Sequence, residues 1–196
     1  MSRGRGGAYG VAMKEFSAQL SRRSSATPEA IYDSLADLGT HMTWGGRKQL
    51  YNFRLRSLEA PAGPAIVGTS FTSTGNVPMS MRRFEDHSKV TVAARPNAFE
   101  FVTDATIRRG KRPMAATYRH RYEIAATPEG SKVTYTMTEL SGTNRLLRLS
   151  LPGVRTMTWR VGVPFMAGRG FRNLVKQAER GGALENASPL ASEVNR

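Results

Sequence analysis

The side chains best suited to chemistry lie in one alternating run, in which Met114, Ala116, Tyr118, His120, Tyr122 and Ile124 share a face if the segment is extended. An imidazole titrates near neutrality, and the flanking phenols both donate and accept hydrogen bonds. His120 is therefore the best candidate for a general base or for an anchor to a substrate carbonyl. No carboxylate is clearly paired with it on that face, and a lone histidine serves equally well as a core residue. His41 falls in a helix-turn region and His87 at an expected bulge near Asp86. No spacing of His, Asp or Glu matches a metal site, so no metal and no cofactor is expected. The chain has no cysteine, which removes thiolate nucleophiles, disulfides and cysteine metal ligands. Arg3-Gly4-Arg5-Gly6-Gly7 is not a phosphate loop, because no strand precedes it and no Lys-Ser/Thr closes it.

The elements that must position these residues follow from period and punctuation. Ser2 to Met13 is rich in Gly and Arg without periodicity and reads as a flexible basic extension, with either Met1 or Met13 available as the start. From Lys14 the pattern alternates, with Phe16, Ala18 and Leu20 on one side, as in a half-buried strand. Thr27-Pro28-Glu29 supplies a capping hydroxyl, a proline at the first helical position and an acid at the positive helix end. A helix carrying Ile31, Leu35 and Leu38 follows, and a second short turn contains Trp44. Alternation then persists to Leu140, punctuated at Pro61 to Pro64, Arg95-Pro96-Asn97 and Pro128-Glu129-Gly130. This predicts six strands, over 50–58, 65–74, 81–94 (broken near Asp86), 98–107, 114–126 and 132–140. From Pro152 the period is helical: Val154, Met157, Val161, Phe165 and Gly168 form one stripe, then Phe171, Leu174, Val175 and Ala178. A kink is expected at Pro164, a C-cap at Gly181-Gly182, and a disordered tail over 182–196.

At 196 residues and 39% hydrophobic, the chain can bury one core unaided, so residues 14–181 are expected to form a single domain. No run approaches the roughly 18 apolar residues of a membrane span, and the start has no apolar signal region, which suits a cytoplasmic protein. The net charge of +14 raises the prospect of a polyanionic partner. Most of it is arginine, which a GC-rich genome also supplies, and it concentrates late. Between Gly142 and Gly181 seven arginines and Lys176 stand against Glu179 alone. Trp159, Val163 and Met166, placed opposite the stripe and ringed by Arg155, Arg160 and Arg169, have the composition of a peripheral contact with an anionic membrane. Packing under a neighbouring loop would explain them equally. Nucleic acid is not the expected partner, because no recognition helix, finger or aromatic strand motif accompanies the charge.

Strand, short helix pair, six-stranded meander and one long C-terminal helix define an α+β helix-grip fold, a curved antiparallel sheet of about seven strands around that helix. The chain resembles the START and polyketide-cyclase-like (SRPBCC) helix-grip superfamily. The resemblance rests on Ala26-Thr27-Pro28-Glu29-Ala30-Ile31-Tyr32, on Val67-Gly68-Thr69-Ser70-Phe71, and on Arg121-Tyr122-Glu123-Ile124 with Pro128 to Thr134. It implies a central cavity for a hydrophobic small molecule such as a lipid or polyketide, with catalysis in only some members. A binding or carrier role is therefore expected ahead of an enzyme, which would be a cyclase or dehydratase using His120 and a tyrosine. The expected lining is Trp44, Tyr51, Phe53, Phe101, Tyr118, His120, Tyr122, Tyr135, Met137, Val161, Phe165 and Gly168. Gly168 would leave a void on the helix where a side chain would otherwise pack.

Overall fold

The computed structural model describes residues 16–45, 54–77, 82–109, 112–142 and 152–187. Strand β1 (Phe16–Ser24) leads into helix α1 (Pro28–Ala36), a 3-10 turn (Leu38–Thr40) and helix α2 (His41–Trp44). Six strands follow: β2 (Arg54–Glu59), β3 (Ser70–Asn76), β4 (Arg83–Ala94), β5 (Ala98–Arg109), β6 (Arg112–Thr127) and β7 (Gly130–Gly142). Helix α3 (Pro152–Met157), one π-helical turn (Thr158–Gly162) and helix α4 (Val163–Ala187) close the chain. The strands form one antiparallel sheet in the order β1-β7-β6-β5-β4-β3-β2, so the meander closes back beside the first strand. This is the α+β architecture the sequence predicts.

Local chemistry explains the entry to the fold. Thr27 caps α1 by accepting a hydrogen bond from the Ala30 amide at 3.3 Å, and Pro28 occupies the first turn, where its missing N–H costs nothing. Gly130 closes the β6–β7 hairpin at φ +133°, and a Cβ there would press against the carbonyl of Ser24. Gly130→Ala should therefore destabilise the protein by more than about 1 kcal/mol, read as a lower denaturant midpoint.

The register aligns side chains into rows across the inner face. One row runs Ala18, Met137, His120, Phe101, Val90, and the next runs Leu20, Tyr135, Tyr122, Phe99, Ala93. Ile31, Tyr32, Leu35, Phe171, Leu174, Val175 and Ala178 from α1 and α4 belong to the same core cluster. The second half of α4 is tied to α2 and β1 by Thr43 Oγ1 donating to Gln177 Oε1 and by Ser24 Oγ donating to Glu179 Oε1.

Several expectations are corrected. Strand β4 runs unbroken through Asp86 and His87, and the register shift lies between Val90 and Val92 instead. Residues 65–69 are not strand. There the chain turns through Gly68 at φ +93°, whose amide donates to the Val90 carbonyl. Helix α4 continues to Ala187, past the Gly181-Gly182 pair, because two glycines cost helix about 1 kcal/mol each without forbidding it. The largest correction concerns the helix faces. Val161 and Phe165, expected to line the cavity, are 59% and 66% exposed, whereas Trp159 and Val163 are 7% and 9% exposed and pack with Ala18, Phe16, Tyr118, Met137 and Met166. At 100° per residue Phe165 lies half a turn from Leu174, so one straight helix cannot bury both. The predicted kink at Pro164 would have reset that phase. The π turn just before it removes the need, since its Val163 amide reaches back to the Thr158 carbonyl and the wider turn relieves the crowding a proline ring imposes on residue i−4.

Candidate functional site

The inner row of β6 changes character along its length. Ile124 and Tyr122 are buried, whereas His120, Tyr118, Ala116 and Met114 each keep part of their surface accessible. Buried α4 residues accompany the first end, as the Tyr135–Phe171 ring contact at 6.0 Å shows. Beyond Tyr122 the inner face is therefore less completely covered than in the packed core.

At the centre His120 Nδ1 is hydrogen-bonded to the Tyr135 hydroxyl at 2.8 Å. The imidazole stacks on Phe101 with ring centres 4.7 Å apart, and Tyr135 stacks on Tyr122 at the same separation. Packing around the ring pushes the His120 pKa down to about 4, because desolvation penalises the imidazolium. The imidazole is therefore neutral at pH 7 and acts as a hydrogen-bonding group. Burial likewise pushes the Tyr118 hydroxyl up to about 12, with Glu139 and Asp86 adding to the rise. Burial raises the Tyr122 and Tyr135 hydroxyls in the same direction.

The next two rows hold the polar groups that sequence reasoning missed. Glu139, Tyr118, Thr103 and Ser88 stand across the sheet from one another, followed by Ala116, Ala105, Asp86 and Ser73. Ser88 Oγ and Thr103 Oγ1 are hydrogen-bonded to each other at 2.8 Å. The Asp86 Oδ1 atom is buried without a hydrogen-bond partner, and desolvation raises the carboxyl pKa to about 7. The side chains that flank it in its row, Ala105 and Ser73, are small, and so is Ala116 beyond Ala105. The signal was available in the alternation of Phe84, Asp86, Ser88 and Val90, but two polar residues in inward slots disguised the strand as a break.

Of the expected lining, Phe101, Tyr118, His120, Tyr122, Tyr135 and Met137 share this face. Trp44 is buried in the core cluster, its ring 4.4 Å from that of His41, and its Nε1–H is buried without an acceptor. His41 is structural: its Nε2 meets the Leu35 carbonyl at 3.1 Å, and burial lowers its pKa to about 4. Tyr51 and Phe53 lie outside the described residues. Val161 and Phe165 face away from the sheet. A Cβ on Gly168 would meet nothing within 4 Å, whereas one on Gly170 would come to 3.7 Å from the Trp44 carbonyl, so Gly170 is the glycine at the close approach to α2. Among the described residues no group of three or more His, Asp or Glu could hold a metal ion, and no helix is long and apolar enough to cross a membrane.

No family model matches the chain, and neither does any curated protein. Solved structures do. Protein CV1439 from Chromobacterium violaceum is 13% identical with a TM-score of 0.55, the match covering 84% of this chain and 98% of that one. A protein from Rhizobium leguminosarum is 13% identical with a TM-score of 0.56, covering 85% and 96%. Protein Ms6760 from Mycobacterium smegmatis is 13% identical with a TM-score of 0.53, covering 84% and 89%. At such identities the likeness is one of fold: an antiparallel sheet with a C-terminal helix, compatible with a helix grip.

Proposed function

We propose that the chain is a binding or carrier protein for a mainly apolar small molecule bearing a hydrogen-bond donor, held in a recess beside the partly accessible stretch of the inner row of β6. The observation that carries this reading is the company Asp86 keeps. A buried carboxyl oxygen without a partner, small side chains in its row, and the partly accessible Tyr118 and His120 one and two rows away describe a place where apolar contact and one polar anchor coincide. Phe101, Met137 and the stacked tyrosines supply the apolar wall. The resemblance to START and polyketide-cyclase-like proteins supports the same reading and gives the ligand class as lipid or polyketide.

Native mass spectrometry of the purified protein, before and after denaturation, tests this. A small molecule lost on unfolding is expected, together with binding of an apolar dye such as anilinonaphthalene sulfonate. Ala116→Leu, which fills the recess from a partly accessible position, should weaken dye binding about 10-fold or more while costing stability about 1–3 kcal/mol. A protein that carries nothing, binds no dye and tolerates Ala116→Leu without change would remove the reading.

The His120–Tyr135 hydrogen bond favours one second reading, a cyclase or dehydratase in which the neutral imidazole takes a proton from substrate while a tyrosine hydroxyl polarises its carbonyl. His120→Ala would then abolish turnover of the co-purified molecule with the fold intact. Unchanged turnover would leave the carrier reading alone.

A further inference from the structure

Turning Val161 and Phe165 outward leaves a surface that the recess does not explain. Met157, Val161 and Phe165 are 67%, 59% and 66% exposed and recur every four residues through the π turn. Residues four apart lie on neighbouring turns of one helix side, so the three side chains form one exposed row. Arg169 and Arg172 follow Phe165 at four and seven residues, on the same side, and Arg160 adjoins Val161; all three arginines are exposed. From Ser141 to Ala178 the sequence contains no acidic residue.

We infer that this face of α3, the π turn and the start of α4 docks on an anionic lipid bilayer. Large apolar side chains enter the acyl boundary while arginine stems lie along it and the guanidiniums stay at the phosphates. Charge complementarity selects this occupant. A second copy would bring the same arginines face to face on a chain of net charge +14, which opposes association. A nucleic acid would satisfy the arginines but leave three large apolar side chains against phosphate and water. The inference stands on the exposed face alone and does not depend on the recess being filled.

Co-sedimentation of the full chain with vesicles tests it. Binding is expected to equimolar phosphatidylcholine and phosphatidylglycerol at low salt, and not to phosphatidylcholine alone. The double variant Val161→Ser/Phe165→Ser should weaken it about 10-fold through lost apolar burial. Arg160→Gln/Arg169→Gln/Arg172→Gln should weaken it about 100-fold and flatten its salt dependence. All these positions are exposed, so thermal melts should match the parent. Failure to sediment with the anionic vesicles overturns the inference. So does full retention of binding by Val161→Ser/Phe165→Ser, which would make the contact one of charge alone. A dimer that dissociates in that variant, without vesicle binding, would assign the face to a second copy instead.

Discussion

Phe99→Ala should lower the unfolding free energy by about 3–5 kcal/mol, a large share of the roughly 5–15 kcal/mol that holds a domain of this size together. Phe99 is 0% exposed, meets Tyr32 edge-on with ring centres 5.9 Å apart, and sits 6.3 Å from Phe101. It joins α1 to the centre of the sheet, where neighbours on both sides prevent collapse into the space a truncation leaves. Phe165→Ala, on the helix face that meets solvent, should change stability by no more than about 0.5 kcal/mol. Urea titrations of the two variants side by side measure the contrast. Equal losses would mean that the burial of the final helix is other than described.

The second large effect is on the pH dependence of stability. The histidines and Asp86 resist ionisation from opposite directions. His41 and His120 have folded-state pKa values of about 4, below the usual 6.5. The folded protein therefore binds fewer protons than the unfolded chain between those values, so the stability they contribute is complete above about pH 6.5 and falls as the pH drops toward 4. Each contributes on the order of 3 kcal/mol across that window. Asp86 works in reverse. Its carboxyl pKa of about 7 lies above the usual 3.8, so stability is complete below about pH 4 and is lost as the pH rises through 7, at a cost on the order of 4 kcal/mol. Two histidines gain faster than one carboxyl loses, which places the maximum near pH 6.5. Asp86→Asn should abolish the alkaline fall and leave the variant more stable than the parent at pH 8. Chemical denaturation from pH 4 to 8 reads both limbs. A variant no more stable than the parent at pH 8 would mean that Asp86 is already ionised and satisfied in the fold. Retaining a carboxyl at such a position makes sense if a ligand donor meets it, since residues that weaken a fold concentrate where binding needs them.

How far the sequence was legible depended on how uniform each pattern was. The β6 row from Met114 to Ile124 alternates without interruption and was read correctly, and its neighbour with Val133, Tyr135 and Met137 followed. Thr27-Pro28-Glu29 marked the start of α1 because capping is local chemistry. Asp86 escaped because inward polar residues imitate a strand break, and only the register shows that Ala105 and Ser73 flank it. Phe165 was misassigned for a different reason. Periodicity finds a stripe but not its phase across a proline, and a π turn cannot be seen in residue types. Counting back from Phe171 and Leu174 at a constant 100° would have reached Ala167 and Val163.

Among the described residues the sheet is open, unlike a closed barrel, with β1 and β2 as its outermost strands. Rows of amides and carbonyls at a sheet edge can template pairing with another molecule, the first step toward aggregates. In β2 the row is broken: its register with β3 slips between Leu55 and Ser57, and Arg56 and Glu59 put charge along its short length. The β1 edge carries Arg22 and Arg23. Concentrated solutions should therefore stay clear at low ionic strength, where like charges hold the edges apart, and cloud first where salt screens them.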